Sequence, residues 1–222
     1  MSSIRALLFD MDGTLAATDP LHATVFAQVL APHGFTVDHS FYADRIAGRT
    51  NRLIFQSLFP DLSDEEADAM STAKEAAFRA AYPVLDPLPG LLAFIDAARS
   101  HGLSLALVTN APRANADHVL NALGVTEHFA EIVTVDAVPR GKPYPDPYQE
   151  ALRRFGLTPD QAIAFEDSPT GLRAALAAGV ATVGLATSLP EQELIQLGAY
   201  RAMADYAAVS VAELLAERPR AS

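Results

Sequence analysis

Two carboxylates stand one residue apart where an apolar run stops, in Leu7-Leu8-Phe9-Asp10-Met11-Asp12-Gly13-Thr14. Strand side chains repeat every two residues, so Asp10 and Asp12 share a face if strand geometry persists through them. In open α/β sheets, ligands bind at the carboxyl ends of strands, and an acidic pair there is a candidate ligand or catalytic site. The bland alternative is a solvated strand end with Asp-Gly in a turn. A calcium loop is excluded. Its fifth and sixth positions need an acidic or amide residue and a glycine, and here they hold Thr14 and Leu15. Three more polar groups need the same weighing. Thr109-Asn110 ends an apolar run and reads in isolation as an ordinary strand-end turn. Glu166-Asp167 ends another, with Ser168 placed to cap a helix and Pro169 at its first position. Lys142 is one of only two lysines (the other is Lys74) among 16 basic residues.

The elements that must position these residues come from runs and breaks. Strand-like runs occur at 5–9, 104–109, 131–135, 161–165 and 181–185. Helical patterns at 113–123, 147–155 and 170–178 separate the later ones, which predicts βαβ units and a parallel sheet. Gly102, Gly124, Gly156 and Gly179 follow helical stretches and suit left-handed C-caps. Residues 18–86 break the alternation with helical segments at 20–30, 41–46, 51–59 and 64–81, before Pro83, Pro87 and Pro89 punctuate the return. A helical insert joined by two adjacent linkers, able to act as a hinge, is expected there.

Composition narrows the class. Half of the 222 residues are hydrophobic and 19% are charged, which favours a covered sheet over disorder. The absence of cysteine excludes disulfides, thiolate catalysis and cysteine zinc sites, and fits a cytoplasmic setting. A net charge of −11 disfavours nucleic acid and anionic membranes as partners. The apolar stretch before Asp10 is too short for a signal peptide. The uncharged run 174–190, with Arg173 just before it, is shorter than the roughly 20 residues a spanning helix needs. A monomer or weak dimer is expected.

Phe9-Asp10-Met11-Asp12-Gly13-Thr14-Leu15 resembles the first motif of the haloacid dehalogenase superfamily of phosphotransferases. Leu107-Val108-Thr109-Asn110 resembles its second, Gly141-Lys142-Pro143-Tyr144-Pro145-Asp146 its third, and Phe165-Glu166-Asp167-Ser168-Pro169-Thr170-Gly171 its fourth, all in the family's order. The helical insert matches the family's cap. The resemblance covers nearly the whole chain. It implies an α/β fold: a Rossmann-like parallel-sheet core, 1–17 with 87–222, and an inserted all-helical cap domain, 18–86. It also implies an aspartyl-phosphate route. Asp10 is then the nucleophile, and Asp12 the general acid and later the base. Lys142 neutralises charge, as a compact ammonium suits a place bridging Asp10 and a phosphate. The Thr109 hydroxyl and the Asn110 backbone N–H bind phosphate. Mg²⁺ is held by Asp10, the Asp12 carbonyl and Asp167, with Glu166 bound directly or through water.

Having Asp12 favours phosphate-ester chemistry over the dehalogenase and phosphonatase branches. Thr18-Asp19-Pro20-Leu21-His22 and the helical insert resemble the β-phosphoglucomutase-like group. His22 is a candidate to meet substrate or steady Asp12, against a plain solvated helix-start histidine. Ala47-Gly48-Arg49-Thr50-Asn51-Arg52 offers a glycine turn presenting Arg49 to the rest of the substrate, against a solvated surface. Mutases of the group carry an arginine three residues after that glycine, where this chain has Asn51. The expected function is a Mg²⁺-dependent phosphatase of a small phosphorylated metabolite, a sugar or polyol phosphate. A phosphosugar mutase and a non-catalytic phosphometabolite-binding module are the alternatives.

Overall fold

The computed structural model describes residues 4–46 and 49–217. The chain runs β1 (Ala6–Phe9), α1 (Asp19–Leu30), α2 (His39–Arg45), α3 (Asn51–Leu58), α4 (Asp64–Ala81), α5 (Leu91–Ser100), β2 (Ser104–Val108), α6 (Arg113–Ala122), β3 (Glu131–Val133), α7 (Asp146–Phe155), β4 (Ala162–Glu166), α8 (Pro169–Ala177), β5 (Ala181–Leu185), α9 (Glu191–Gln196), β6 (Arg201–Met203) and α10 (Val211–Ala216). The strands form one sheet in the order β3-β2-β1-β4-β5-β6, with every pairing parallel. This is the α/β Rossmann-like class that the sequence implies. From β1 the order runs one way to β2 and β3, and the other way to β4, β5 and β6. The strand order therefore reverses at β1, and such a reversal opens a crevice at the carboxyl edge.

Parallel sheets are covered on both faces, so their central strands need no polar alternation. All four residues of β1 are buried. On one face Ala6, Leu8, Ala106, Val108, Ala162 and Ala164 pack with Tyr148, Ala151 and Leu152 of α7 and with Ala174 and Ala175 of α8. The alanines leave room for the two helices to lie close. An aromatic cluster fills the other face. Phe9 and Phe165 are register partners, and their rings stack at 4.7 Å and 7°. Phe94 and Tyr206 close over them. Each such side chain contributes about 1.5–3 kcal/mol by leaving water. Gly102, Gly124, Gly156 and Gly179 all take positive φ at helix ends, as their positions predict.

The Tyr206 hydroxyl is buried in this cluster with no hydrogen-bond partner among the described residues. Removing an unsatisfied buried hydroxyl returns about 1 kcal/mol. Tyr206→Phe is therefore expected to raise the melting temperature by about 2–4 °C. A fall on calorimetry would mean that the hydroxyl does bond in solution.

Contacts divide the chain into two compact units, Thr18–Pro83 and the remainder. The sequence reading places the second junction at 86–87. Among the described residues of Thr18–Pro83 all regular elements are helical, around Phe26, Leu30, Ile46, Ile54 and Phe55. Its longest helix, α4, starts with a reciprocal Ser63–Glu66 capping box, with Asp64 and Glu65 also favourable in the first turn.

Two helices and one strand escape the sequence reading, α9, α10 and β6, while α5 is anticipated only as the helical stretch before Gly102. β6 has three residues, two of them only half buried, so it carries no apolar run to notice. The strand expected at 131–135 stops at Val133, because Val135–Ala137 winds into a 3₁₀ turn. The uncharged stretch 174–190 is divided between α8, β5 and their flanking turns. Among the described residues no helix is long and apolar enough to cross a membrane.

Candidate active site

Strand geometry does not persist through the acidic pair. β1 ends at Phe9, and Asp10 adds one last ladder bond from its N–H to the Phe165 carbonyl (3.0 Å). The chain then turns: the N–H groups of Thr14 and Leu15 both donate to the Met11 carbonyl, and Gly13 N–H donates to Ala16. The two carboxylates thus stand where the strand gives way to a turn, near enough for the charge of Asp12 to raise the Asp10 carboxyl. Gly13 sits at φ +71°, and a Cβ on it would lie 2.1 Å from Asp167 Oδ2. Only glycine meets both demands.

The other candidates arrive on the two strands beside β1. Thr109 follows β2 and keeps its ladder, donating its N–H to Val133. It is buried, and its hydroxyl accepts from the Ala111 N–H at 3.0 Å. Glu166 ends β4, and Asp167 follows it; both are buried. Ser168 caps α8 by accepting from Gly171 N–H, with Pro169 at the first position. Lys142 comes from the loop between β3 and α7. Its ammonium donates to Asp10 Oδ1 at 2.6 Å and to Glu166 Oε1 at 2.5 Å. The Asn110 side chain faces the backbone of that loop: Nδ2 donates to the Lys142 carbonyl (3.0 Å), and Oδ1 accepts from Lys142 N–H (2.8 Å).

Several groups that sequence alone does not nominate complete the pocket. Tyr148 is buried, and its hydroxyl donates to Glu166 Oε1 at 2.6 Å. Thr187 and Ser188 lie beyond the end of β5. Thr187 donates to the Gly13 carbonyl at 2.5 Å, and Ser188 donates to Asp167 Oδ2. Hydroxyls just past a strand's carboxyl end are the signal that was available for these two. Gly171 leaves the space that Glu166 fills, since a Cβ there would fall about 2 Å from its carboxylate.

His22 and Arg49 belong to the helical unit. His22 Nδ1 lies 2.7 Å from Lys74 Nζ, and its ring stacks on Phe78. Lys74 is buried, also donates to Glu75 at 2.9 Å, and stands 4.7 Å over the Phe26 ring. Arg49 is exposed and donates to the Asp44 carbonyl at 3.2 Å. Gly48, the glycine of the expected turn, lies outside the described residues. Arg52 pairs with Asp64 and Asp68.

The electrostatics of the core pocket are lopsided. Burial, then the charges of Glu166, Asp167 and Asp12, push the Asp10 carboxyl well above the ordinary carboxylate range, while Lys142 pulls it down. Burial alone would depress the Lys142 ammonium, but the charges of Asp10 and Glu166 outweigh it and raise its pKa. Burial and the neighbouring carboxylates raise Tyr148 as well, so it stays a hydroxyl donor. Asp10, Glu166 and Asp167 each offer an oxygen, all within 4.8 Å of one another. One ammonium does not balance that set, and an all-oxygen carboxylate cluster suits a hard divalent cation. The residues present therefore fit a bound Mg²⁺.

The family model for haloacid dehalogenase-like hydrolases matches residues 7–185. The phosphoglycolate phosphatase of Rhodospirillum rubrum is 31% identical over 92% of this chain and 89% of its own. Fructose-1-phosphate phosphatase YqaB of Escherichia coli K12 is 32% identical over 80% of this chain and 94% of its own. A crystal structure of CbbY from Rhodobacter sphaeroides, in complex with xylulose-(1,5)-bisphosphate, superposes with a TM-score of 0.84. It is 29% identical and covers 95% of this chain and 99% of that one. Sheet order, an acidic turn after the first strand and a match across most of the sequence converge, and the chain belongs to the haloacid dehalogenase-like hydrolases.

Proposed function

We propose that this phosphoric monoester hydrolase is a Mg²⁺-dependent phosphatase of a small phosphorylated sugar or polyol, working through an aspartyl-phosphate on Asp10. The observation that carries the reading is Lys142 held between Asp10 and Glu166, beside Asp167, where the strand order reverses. Sugar-phosphate chemistry is supported by two relatives, the fructose-1-phosphate phosphatase YqaB and CbbY with its xylulose bisphosphate.

Phosphoryl transfer asks the protein for positioning and charge neutralisation more than for covalent chemistry. An Asp10 oxygen attacks phosphorus as the ester P–O bond breaks, and Asp12 gives its proton to the leaving alkoxide. Asp12 then takes a proton from water as that water attacks phosphorus, and the Asp10–phosphorus bond breaks to free phosphate. Thr109 and the Asn110 N–H hold phosphoryl oxygens, and Lys142 stays cationic throughout. Asp10 and Asp167 would hold the cation with the Asp12 carbonyl, and Glu166, one oxygen of which is occupied by Lys142 and Tyr148, would stand behind. When bound, the ion supplies Lewis-acid polarisation of a phosphoryl oxygen. His22 and Arg49 are assigned to substrate recognition from the helical unit. Asn51, at the position where mutases carry arginine, donates its amide to Glu75, which favours the phosphatase over the mutase.

The test is phosphate release across sugar, polyol and nucleotide phosphates, with Mg²⁺ or with EDTA. Release from sugar or polyol phosphates that EDTA abolishes and Mg²⁺ restores is the expected result. Isomerisation of a sugar 1-phosphate without release would make the protein a mutase. Binding without turnover across the panel would make it a binding module.

A further inference from the structure

Asn110 is placed by its motif to offer a backbone N–H to phosphate, yet its side chain is engaged elsewhere. Both faces of the amide are used at once: Oδ1 accepts from Lys142 N–H at 2.8 Å, and Nδ2 donates to Lys142 C=O at 3.0 Å. This two-way pairing joins the end of β2 to a loop 32 residues further along the chain. The loop is shaped to receive it. A Cβ on Gly141 would lie 2.6 Å from Asn110 Oδ1 and 3.1 Å from Val135 Cγ2, so the residue before Lys142 has no space for a side chain.

We propose that the Asn110 side chain is a positioning residue, which pins the backbone of Lys142 and thereby sets where its ammonium stands between Asp10 and Glu166. The inference rests on the proposed role of Lys142. A lysine side chain is a flexible four-carbon stem. Its tip is held by two carboxylates, but the reach of that tip is fixed by where the stem is rooted. Displacing a reacting or neutralising group by about 1 Å costs up to roughly 100-fold in rate. A backbone pin does this without touching substrate, which separates the amide's role from that of the same residue's N–H.

The experiment is a double-mutant cycle on hydrolysis of p-nitrophenyl phosphate with saturating Mg²⁺, using Asn110→Ala, Lys142→Ala and the pair. Asn110→Ala is expected to lower kcat/KM by about 10–100-fold with the melting transition still cooperative. In the Lys142→Ala background the same change is expected to cost less than about 3-fold, because the group it positions is gone. Losses that multiply in full would overturn the inference. So would an Asn110→Ala enzyme of wild-type activity. If Asn110→Ala melts below the assay temperature, Gly141→Ala carries the same test, since its Cβ crowds the amide while leaving it in place. It too should be costly alone and nearly silent beside Lys142→Ala, and full additivity there would likewise overturn the proposal. A Lys142→Ala enzyme with undiminished turnover would instead reject the underlying catalytic reading. The two failures are therefore distinguishable.

Discussion

Asp10→Asn is expected to reduce turnover by about 10⁴-fold or more and to abolish any acid-stable, hydroxylamine-sensitive phosphoenzyme. The amide is close to isosteric with the carboxylate, so the loss is chemical rather than steric. It removes the attacking oxygen's charge and leaves the Lys142 ammonium a neutral amide oxygen in place of one of its two carboxylate acceptors, the other being Glu166 at 2.5 Å. Folding should not suffer. The wild-type site packs several carboxylates around one ammonium, and burial with their mutual repulsion drives the Asp10 carboxyl upward. Neutralising Asp10 relieves part of that repulsion, so the melting temperature in EDTA is expected to hold or rise. Asp12→Asn provides the contrast. Removing a general acid typically costs about 10²–10⁴-fold, while Asp10 and Lys142 remain to bind phosphate. Quenched-flow labelling with a ³²P-labelled sugar phosphate separates the two variants. Substantial phosphoenzyme in Asp10→Asn would remove Asp10 from the role of nucleophile.

Legibility differed along the chain for physical reasons. The α/β class was readable because the central strands are continuous apolar runs ending in abrupt polar signals, as at Phe9-Asp10 and Phe165-Glu166. Those signals survive in sequence because the central strands β1, β2, β4 and β5 carry no charge before their carboxyl ends. The sharing of a face by Asp10 and Asp12 was conditional on strand geometry persisting through them. The i, i+2 spacing suggested a shared strand face, whereas the backbone leaves the strand at Asp10, and Gly13 alone permits the turn. The part Tyr148 plays was not readable. Phenylalanine would fill the same volume, and nothing local marks the hydroxyl that reaches Glu166 across 18 residues of chain. Lysine usage was more telling than expected. Lys74 and Lys142 are both buried among acceptors, while every described arginine is exposed or half-buried. A chain that gives its surface to arginine keeps the compact ammonium for places where a planar fork does not fit.

Lys142 gives the second large effect, and its two components separate by pH. Lys142→Met should lower kcat by about 10²–10³-fold, the scale of losing one preorganised electrostatic partner. Lys142→Arg should recover little of it, because the pocket seats a point charge between Asp10 Oδ1 and Glu166 Oε1 rather than a bidentate fork. Stability should fall too. Removing one partner of a buried ion pair typically costs about 3–5 kcal/mol, which corresponds to a drop of roughly 6–20 °C in a protein of this size. The sign of the pH dependence follows from Asp10, the carboxyl that Lys142 holds down. Without the ammonium its folded pKa rises further above the unfolded value of about 4. A group raised in this way destabilises the fold above the unfolded pKa, because folding must then take up a proton or bury a charge. Below the wild-type folded pKa of Asp10 both proteins keep that carboxyl protonated and the gap does not move, so in metal-free buffer the melting-temperature gap between wild type and Lys142→Met is expected to widen only as the pH rises past that raised pKa. Added Mg²⁺ should narrow it again, since a cation held by Asp10 and Asp167 replaces part of the missing positive charge. A gap indifferent to both pH and Mg²⁺ would mean that Lys142 serves the pocket as packing rather than as charge, and the phosphoryl-transfer role assigned to it would fall with that result.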